Sequence, residues 1–313
     1  MSVETKSSEN FNQDQGVVDL LLIIWGYKTL VCALTSLFVV ISIVIALLMP
    51  NIYRSEVIVS PAASMNSNSL NSLSSQFGGI ASLAGLSLPS SGSVDKVSLA
   101  IEIIKSREFI NNFVEKYKIL PQLLAVSSWD RESNKLHYDF EIYNSDENVW
   151  IAEEYQKNNK APSVNDSYKK FREILSITRM KDSSLIKIAI KHESPYIAQS
   201  WVKAIVYEIN QVMRNRDLIE AQKSINYLTK EIEKTNISNM RTILHSLVQE
   251  HTKTIMMANV REQYVFDVID PAYLPEEKSE PKRFLIVILG LVIGLILSSM
   301  IAVVVSIFMK EKS

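Results

Sequence analysis

Residues 270–309 read DPAYLPEEKSEPKRFLIVILGLVIGLILSSMIAVVVSIFM, a proline-marked connector that runs into a long apolar segment. From Phe284 to Met309 there is no charged side chain, and a helix of this length extends about 39 Å at about 1.5 Å per residue. That length exceeds the roughly 30 Å hydrocarbon thickness of a bilayer. Because the segment is apolar on every side, it predicts a membrane span and not the core helix of a soluble protein.

A second uncharged run, Thr29–Met49, lies near the N-terminus. A cleaved signal peptide is the alternative, but its apolar region is usually only about 7–15 residues long. This run has 21 residues, follows a polar leader, and ends in LLMPNIYRS, which has no small-x-small cleavage pattern. The run therefore predicts an uncleaved anchor. Two spans return the chain, so both tails lie on one side of the membrane.

The charges that flank the two spans do not show on which side of the membrane the tails lie. Basic residues flank the spans on both sides, with Lys28, Lys310 and Lys312 in the tails and Arg54, Lys278, Lys282 and Arg283 in the loop. The positive-inside rule therefore gives no orientation, and long loops translocate largely regardless of their charge.

The loop between the spans, residues 50–283, holds 234 residues, enough for one sizeable domain with a helical extension. Four of the 33 basic and five of the 34 acidic residues lie in the two tails, which leaves 29 of each in the loop. A neutral loop argues against nucleic acid as a partner, because phosphate binding needs a surplus of basic side chains. The only cysteine, Cys32, lies in the first span, so no intrachain disulfide forms.

Hydrophobic patterning predicts the elements of this loop. NIYRSEVIVS alternates as a strand, residues 61–93 form a Gly- and Ser-rich stretch that cannot fold alone, and one helix is expected over 94–118. Residues 119–162 are irregular by pattern, with Trp129 and Trp150 expected in the core and a short helix over 149–156. A helix over 164–175, a hairpin turning at Asp182–Ser184 and a final strand YVFDVID complete the prediction.

A long helical region follows from Pro195 to about Asn259. Within it, apolar residues step by three and four along a coiled-coil-like seam: Leu218, Ala221, Ile225, Leu228 and Ile232. Turn-forming residues between Thr235 and Asn239 interrupt the pattern, either as a true turn giving an antiparallel hairpin or as a kink in one long helix. The expected fold class is an α+β domain with a long helical hairpin, flanked by two transmembrane helices.

No catalytic or metal-binding constellation is apparent. The histidines, His137, His192, His245 and His251, do not have the spacing of a helical zinc site, and Gly78-Gly79 lacks the spacing of a phosphate-binding loop. Neither span carries a charge that would mark an ion path. We expect no enzyme activity, no cofactor and no metal.

Several segments together resemble one family. FGGIASLAGLS (77–87), KSREF (105–109) and IDPAYLPEEKSEPKR (269–283) resemble sequences of the polysaccharide co-polymerases, the Wzz-type chain length determinants of bacterial inner membranes, in their kinase-free branch. The specific motif joins the prolines to the glycine-bearing span: Pro271, Pro275, Pro281, Lys282, Gly290 and Gly294. Many members have a further proline after the Pro-Lys pair, where this chain has Arg283 and Phe284.

The resemblance implies a periplasmic domain and both termini in the cytoplasm. The expected boundaries are leader 1–28, span 29–49, domain 50–283, span 284–309 and tail 310–313, with an α+β base over 50–194 and 262–275 and long helices over 195–260. It further implies a homo-oligomeric ring that acts with a membrane polymerase on lipid-linked polysaccharide and sets the modal length of a surface glycan such as O-antigen. The alternative is a membrane-anchored sensor or adaptor that signals through a separate cytosolic partner.

Overall fold

The computed structural model describes residues 25–62, 96–156, 162–181 and 183–311. The expectations for the leader before Trp25, for the Gly- and Ser-rich stretch after Ala62, for the turn residue Asp182 and for the end of the tail lie outside the described residues. The helices are α1 Lys28–Leu48, α2 Lys96–Ile104, α3 Arg107–Tyr117, α4 Leu120–Leu124, α5 Glu153–Gln156, α6 Val164–Ile174, α7 Pro195–Lys234, α8 Ser238–Val260 and α9 Arg283–Glu311. The strands are β1 Tyr53–Pro61, β2 Val126–Asp130, β3 Lys135–Tyr138, β4 Tyr143–Asn144, β5 Val149–Trp150, β6 Leu175–Arg179, β7 Ile186–His192 and β8 Phe266–Asp270.

The chain divides into two compact units. One comprises Met1–Asn51 with Ser279–Ser313 and contains α1 and α9. Both helices are long and apolar enough to cross a membrane. The other, Ile52–Lys278, contains the eight strands and the seven remaining helices of the described residues. The predicted fold class, a mixed α+β domain with long helices between two apolar helices, is confirmed.

A four-stranded antiparallel sheet in the order β6-β7-β1-β8 forms the centre of the second unit. Alternate residues of the two central strands point to one face, where Val57, Val59, Ile186, Ile188 and Ile190 are buried. The first half of α7 packs on the sheet with Trp201, Val202, Ile205 and Ile209 in the same core as α2, α3 and α6. The strand that follows the first span is thus a central strand.

The helix expected over residues 94–118 is divided in two, which corrects the prediction. Helix α2 ends at Ile104, and Ser106 caps α3 by accepting a hydrogen bond from the Phe109 backbone N–H at 3.2 Å. A serine at this position satisfies a donor that a continuous helix would pair internally. The step of five residues between the apolar Ile104 and Phe109 was the sign of the break.

Residues 119–162 are also more regular than expected. Helix α4 leads into two small antiparallel hairpins, β2–β3 and β4–β5. Trp150 is buried with Ala125 and Tyr143, as predicted, whereas Trp129 is only half-buried. The short helix expected over 149–156 begins only at Glu153, because Val149 and Trp150 pair with Asn144 and Tyr143 as a strand.

The interruption after Lys234 is a turn and not a kink. Near the base of the two arms, the Arg214 guanidinium of α7 donates to the backbone carbonyls of Arg261 and Glu262, which follow α8. Further along, Leu228 of α7 and Leu247 of α8 line one open cleft. Helix α8 therefore returns along α7, and the 40-residue first arm is about 60 Å long.

Candidate functional site: the paired spans, their connector and the helical hairpin

The two glycines of the second span face the first span of the same chain. A Cβ atom built on Gly290 would lie 2.5 Å from Ser42 Cβ, and one built on Gly294 would lie 2.9 Å from Phe38 Cβ. Such distances are shorter than any carbon–carbon contact, so only glycine permits this approach of the helices. The glycine motif thus serves packing within one chain.

The small-residue stripe extends beyond the two glycines. Ser298 and Ala302 continue the four-residue spacing and are fully buried between the helices. The Ser298 hydroxyl shares a hydrogen bond of 3.0 Å with the Thr35 hydroxyl of α1. These two residues were not predicted from the sequence, although they follow Gly290 and Gly294 at the same interval of four residues.

Arg283 joins the two spans at their loop-side ends. Its Nε donates to the Ala46 carbonyl at 3.0 Å, and its Nη2 donates to Asn51 Oδ1 at 3.2 Å. Ala46 belongs to the last turn of α1, whose terminal carbonyls lack partners within the helix. The residue noted as a departure from the family pattern therefore caps the first span.

The connector prolines occupy different environments. Pro275 and Pro281 are buried, whereas Pro271 and Lys282 are exposed. Side chains of the α+β unit hold the backbone beside Pro271, since Gln199 Nε2 donates to the Ala272 carbonyl at 2.8 Å. Ser55 Oγ likewise donates to the Tyr273 carbonyl at 2.7 Å. The start of the connector is thereby fixed to both β1 and α7.

The seam of the long helix faces the second arm of the hairpin. Ala221 and Leu228 are buried, and Leu218, Ile225 and Ile232 are half-buried. The chain's own α8 covers these residues, so the seam is an intramolecular contact. Other apolar side chains of the hairpin point into solvent: Ile219, Tyr227, Ile237, Met256 and Val260 are each more than half exposed.

Asn210 links the base of the long helix to the last strand. Its Oδ1 accepts hydrogen bonds from the backbone N–H groups of Tyr264, Val265 and Phe266 at 2.8–3.2 Å. Its Nδ2 donates to the Phe266 carbonyl at 3.0 Å, and the side chain is 4% exposed. A single asparagine within a helical pattern gave no sequence signal for this role.

A polar cluster lies beside that link. The Tyr264 hydroxyl donates to Asp217 Oδ2 at 2.6 Å, and Lys96 Nζ lies 2.5 Å from the same oxygen. Partial burial, together with the hydrogen bond to the Asp217 carboxylate, raises the pKa of the Tyr264 phenol. The cluster ties the first described residue after the Gly- and Ser-rich stretch to the base of the hairpin.

His192 is a buried, neutral histidine. Its Nδ1 accepts the Ser194 backbone N–H at 2.9 Å, and its Nε2 lies 3.0 Å from the Gln122 carbonyl, to which it can only donate. Both ring nitrogens are therefore satisfied in one neutral tautomer. Burial lowers the pKa of this imidazole, against a smaller opposing effect of the neighbouring Glu193.

Within residues 25–62, 96–156, 162–181 and 183–311, no cluster of His, Cys, Asp or Glu side chains could hold a metal ion. The polar groups described above are engaged in fixing backbone segments to one another. Their arrangement joins the helical hairpin, the sheet and the connector mechanically.

Two family models match the sequence. Residues 16–117 match the Wzz chain length determinant protein model, and residues 223–307 match a model described as a G-rich domain on putative tyrosine kinase. The chain therefore carries a Wzz chain length determinant domain over residues 16–117. No curated protein sequence matches it significantly.

Solved structures of Wzz-type proteins are similar to the chain. A full-length bacterial polysaccharide co-polymerase is 12% identical, with a TM-score of 0.37 over 94% of this chain and 98% of that one. A fragment of WzzB, the polysaccharide co-polymerase from Salmonella Typhimurium, is 9% identical, with a TM-score of 0.29 over 74% of this chain and 100% of that one. Scores this low do not establish a common spatial arrangement, so the assignment of a Wzz domain rests on the sequence match over residues 16–117.

The two matched segments contain most of the candidate site. The first includes α1 and β1, and the second includes all of α8, the proline connector and the glycines of α9. The two segments that the family models match are thus the segments that meet as paired spans.

Proposed function

We propose that this Wzz protein regulates the modal chain length of a bacterial surface polysaccharide, such as O-antigen, as an oligomeric inner-membrane co-polymerase. In this proposal the α+β domain lies in the periplasm, both termini lie in the cytoplasm, and a membrane polymerase that extends lipid-linked glycan is the partner. The observation that carries it is the match to the chain length determinant family at the first span, together with a second span whose glycines pack against the first.

The polar chemistry supports a role without catalysis by this chain. Two buried polar side chains of the α+β unit, Asn210 and His192, have both of their polar ends hydrogen-bonded to backbone groups. Such groups stabilise a rigid framework. We therefore assign polymerisation to the partner and length control to the geometry of the framework.

Contacts between copies follow from the surfaces that remain exposed. The seam of α7 and the glycine face of α9 are occupied within the chain, so neither is available to a neighbour. The exposed apolar side chains Ile219 and Val260 of the hairpin are available. Copies that contact one another head to tail through such surfaces form a closed ring when the repeated rotation from one copy to the next adds up to a full turn.

The first experiment is a gel profile of surface polysaccharide from a strain that lacks the gene, with and without complementation. We expect a modal ladder to become a random distribution on deletion and to return on complementation. An unchanged profile for every surface glycan would contradict the proposal and favour a sensor or adaptor with a cytosolic partner.

A pair of variants then tests the contacts between copies. Ile219→Asp places a charge on an exposed apolar position, whereas Glu220→Gln is the matched change at the neighbouring exposed position. We expect the first variant to reduce chemical cross-linking between copies and to shift the modal length, and the second to leave both unchanged. Equal cross-linking in the two variants would rule out this surface.

A further inference from the structure

An aromatic cluster lies at one end of the sheet. The rings of Tyr53 and Trp129 meet edge to face with their centroids 5.5 Å apart, and the Tyr196 ring lies 6.1 Å from that of Trp129. These residues come from the start of β1, from β2 and from the start of α7, and Tyr53 pairs with His192 at the end of β7. Three separate elements therefore bring aromatic side chains to the same edge.

The connector to the second span leaves from this edge too. Ser55, two residues after Tyr53, holds the Tyr273 carbonyl at 2.7 Å. Tyr196 of the aromatic cluster remains 47% exposed, and Tyr273, whose carbonyl Ser55 holds, is 51% exposed, whereas Tyr53 and Trp129 are half-buried. The edge thus presents tyrosines whose rings are apolar and whose hydroxyls are polar.

Chain connectivity limits how far this edge can lie from the membrane. Only residues 49–52 separate the end of α1 from Tyr53, and an extended chain over these steps reaches at most about 18 Å. Tyrosine and tryptophan are enriched where a protein meets the headgroup region, because one end of the side chain is apolar and the other is hydrated.

We infer that this edge, formed by Tyr53, Trp129, Tyr196 and Tyr273, rests in the lipid headgroup region and anchors the α+β unit to the bilayer surface. The ligand is the membrane interface itself, recognised through amphipathic rings. The aromatic contact attaches the α+β unit to the membrane surface. The inference rests on the proposed membrane location of α1 and α9.

The test uses nitroxide labels on the full-length protein in liposomes. Cys32→Ala removes the only cysteine. Three single-cysteine variants are then labelled: Tyr196→Cys and Tyr273→Cys at the edge, and Tyr227→Cys as a matched control on the helical hairpin, where the tyrosine is 67% exposed. Collisions of each label with molecular oxygen, which concentrates in lipid, and with a water-soluble nickel chelate are measured by power-saturation spectroscopy.

We expect the labels at 196 and 273 to lose collisions with nickel and to gain collisions with oxygen relative to the label at 227. Equal nickel collisions at all three positions would overturn the inference. Shielding from nickel without a gain in oxygen would indicate contact with protein, and would also overturn it.

A label on the native Cys32 separates this result from a failure of the membrane assignment. Cys32 lies in α1 and is exposed on the helix surface. Free access of nickel to that label would overturn the proposed membrane location and the inference with it. If only oxygen reaches the Cys32 label while nickel freely reaches the labels at 196 and 273, the membrane location stands and only the inference about the aromatic edge is overturned.

Discussion

The contact between Gly290 and Ser42 can be tested by exchanging the small residue between the two spans. In Gly290→Ala the new Cβ would lie 2.5 Å from Ser42 Cβ and 2.6 Å from Ser42 Oγ. The hydroxyl can rotate away, but both Cβ atoms are fixed by their backbones, and carbon atoms in contact need about 3.5 Å. The helices must therefore separate by about 1 Å at this level.

Overpacking of this kind costs about 1–3 kcal/mol, which corresponds to a change of about 5- to 150-fold in the pairing equilibrium. Ser42→Gly removes the two nearest atoms and leaves the Phe38 carbonyl oxygen at 3.6 Å, an ordinary contact. The double variant Ser42→Gly/Gly290→Ala should therefore pack nearly as well as the original pair, although Gly290→Ala alone does not.

The assay is disulfide formation between cysteines at Thr35 and Ser298 in a Cys32→Ala background. The hydroxyls of these residues are 3.0 Å apart in the paired spans. We expect rapid closure within one chain, slower closure in Gly290→Ala, and recovery in the double variant. A covalent dimer in place of a closed monomer, or failure of Ser42→Gly to restore the rate, would refute packing of the glycine stripe within the chain.

Three further predictions concern the α+β unit, each measured by unfolding of the full chain in detergent. Asn210→Ala leaves buried backbone N–H groups of β8 without an acceptor and should cost about 3 kcal/mol, whereas an unchanged midpoint would contradict its linking role. Because burial lowers the pKa of His192, the unfolded chain binds a proton at this histidine at a higher pH than the folded chain does. The free energy of unfolding should therefore be at its full value above about pH 6.5 and fall as the pH decreases below that value. A His192→Gln variant should lose this pH dependence, and its persistence would assign the effect elsewhere. Leu228→Asp buries a charge between α7 and α8 and should melt the hairpin, while Tyr227→Asp at the exposed neighbouring position should not; equal effects would show that Leu228 is not a packing residue.

Much of the fold could be read from local patterns. The alternation of apolar residues in ILSITRMK (174–181) and LIKIAIKH (185–192) predicted a hairpin, and β6 and β7 form within these runs and pair with each other. The division of the helix at Ser106 was missed because Ile104 and Phe109 both carry the apolar pattern, and a step of five was accepted as part of one helix. Capping by a serine side chain depends on local geometry that a spacing count does not register.

The candidate site was only partly predictable. Gly290 and Gly294 were recognised as a close-packing motif, but a glycine spacing does not specify its partner. The roles of Asn210 and His192 were not foreseen, since each depends on backbone groups distant in sequence, such as the Phe266 N–H and the Gln122 carbonyl. Long-range hydrogen bonds of this kind leave no periodic trace.

The sequence by itself determined the two apolar spans, the strands of the central sheet and the long helix with its seam. These features follow from hydrophobic spacing along a single element, which is a local property. Only the tertiary structure decided that the interruption after Lys234 is a turn, that α8 covers the seam, and that the glycine face of α9 meets Ser42 and Phe38 of the same chain. A stripe of apolar or small residues on one helix indicates that another element packs against it. Which element does so depends on how the rest of the chain folds.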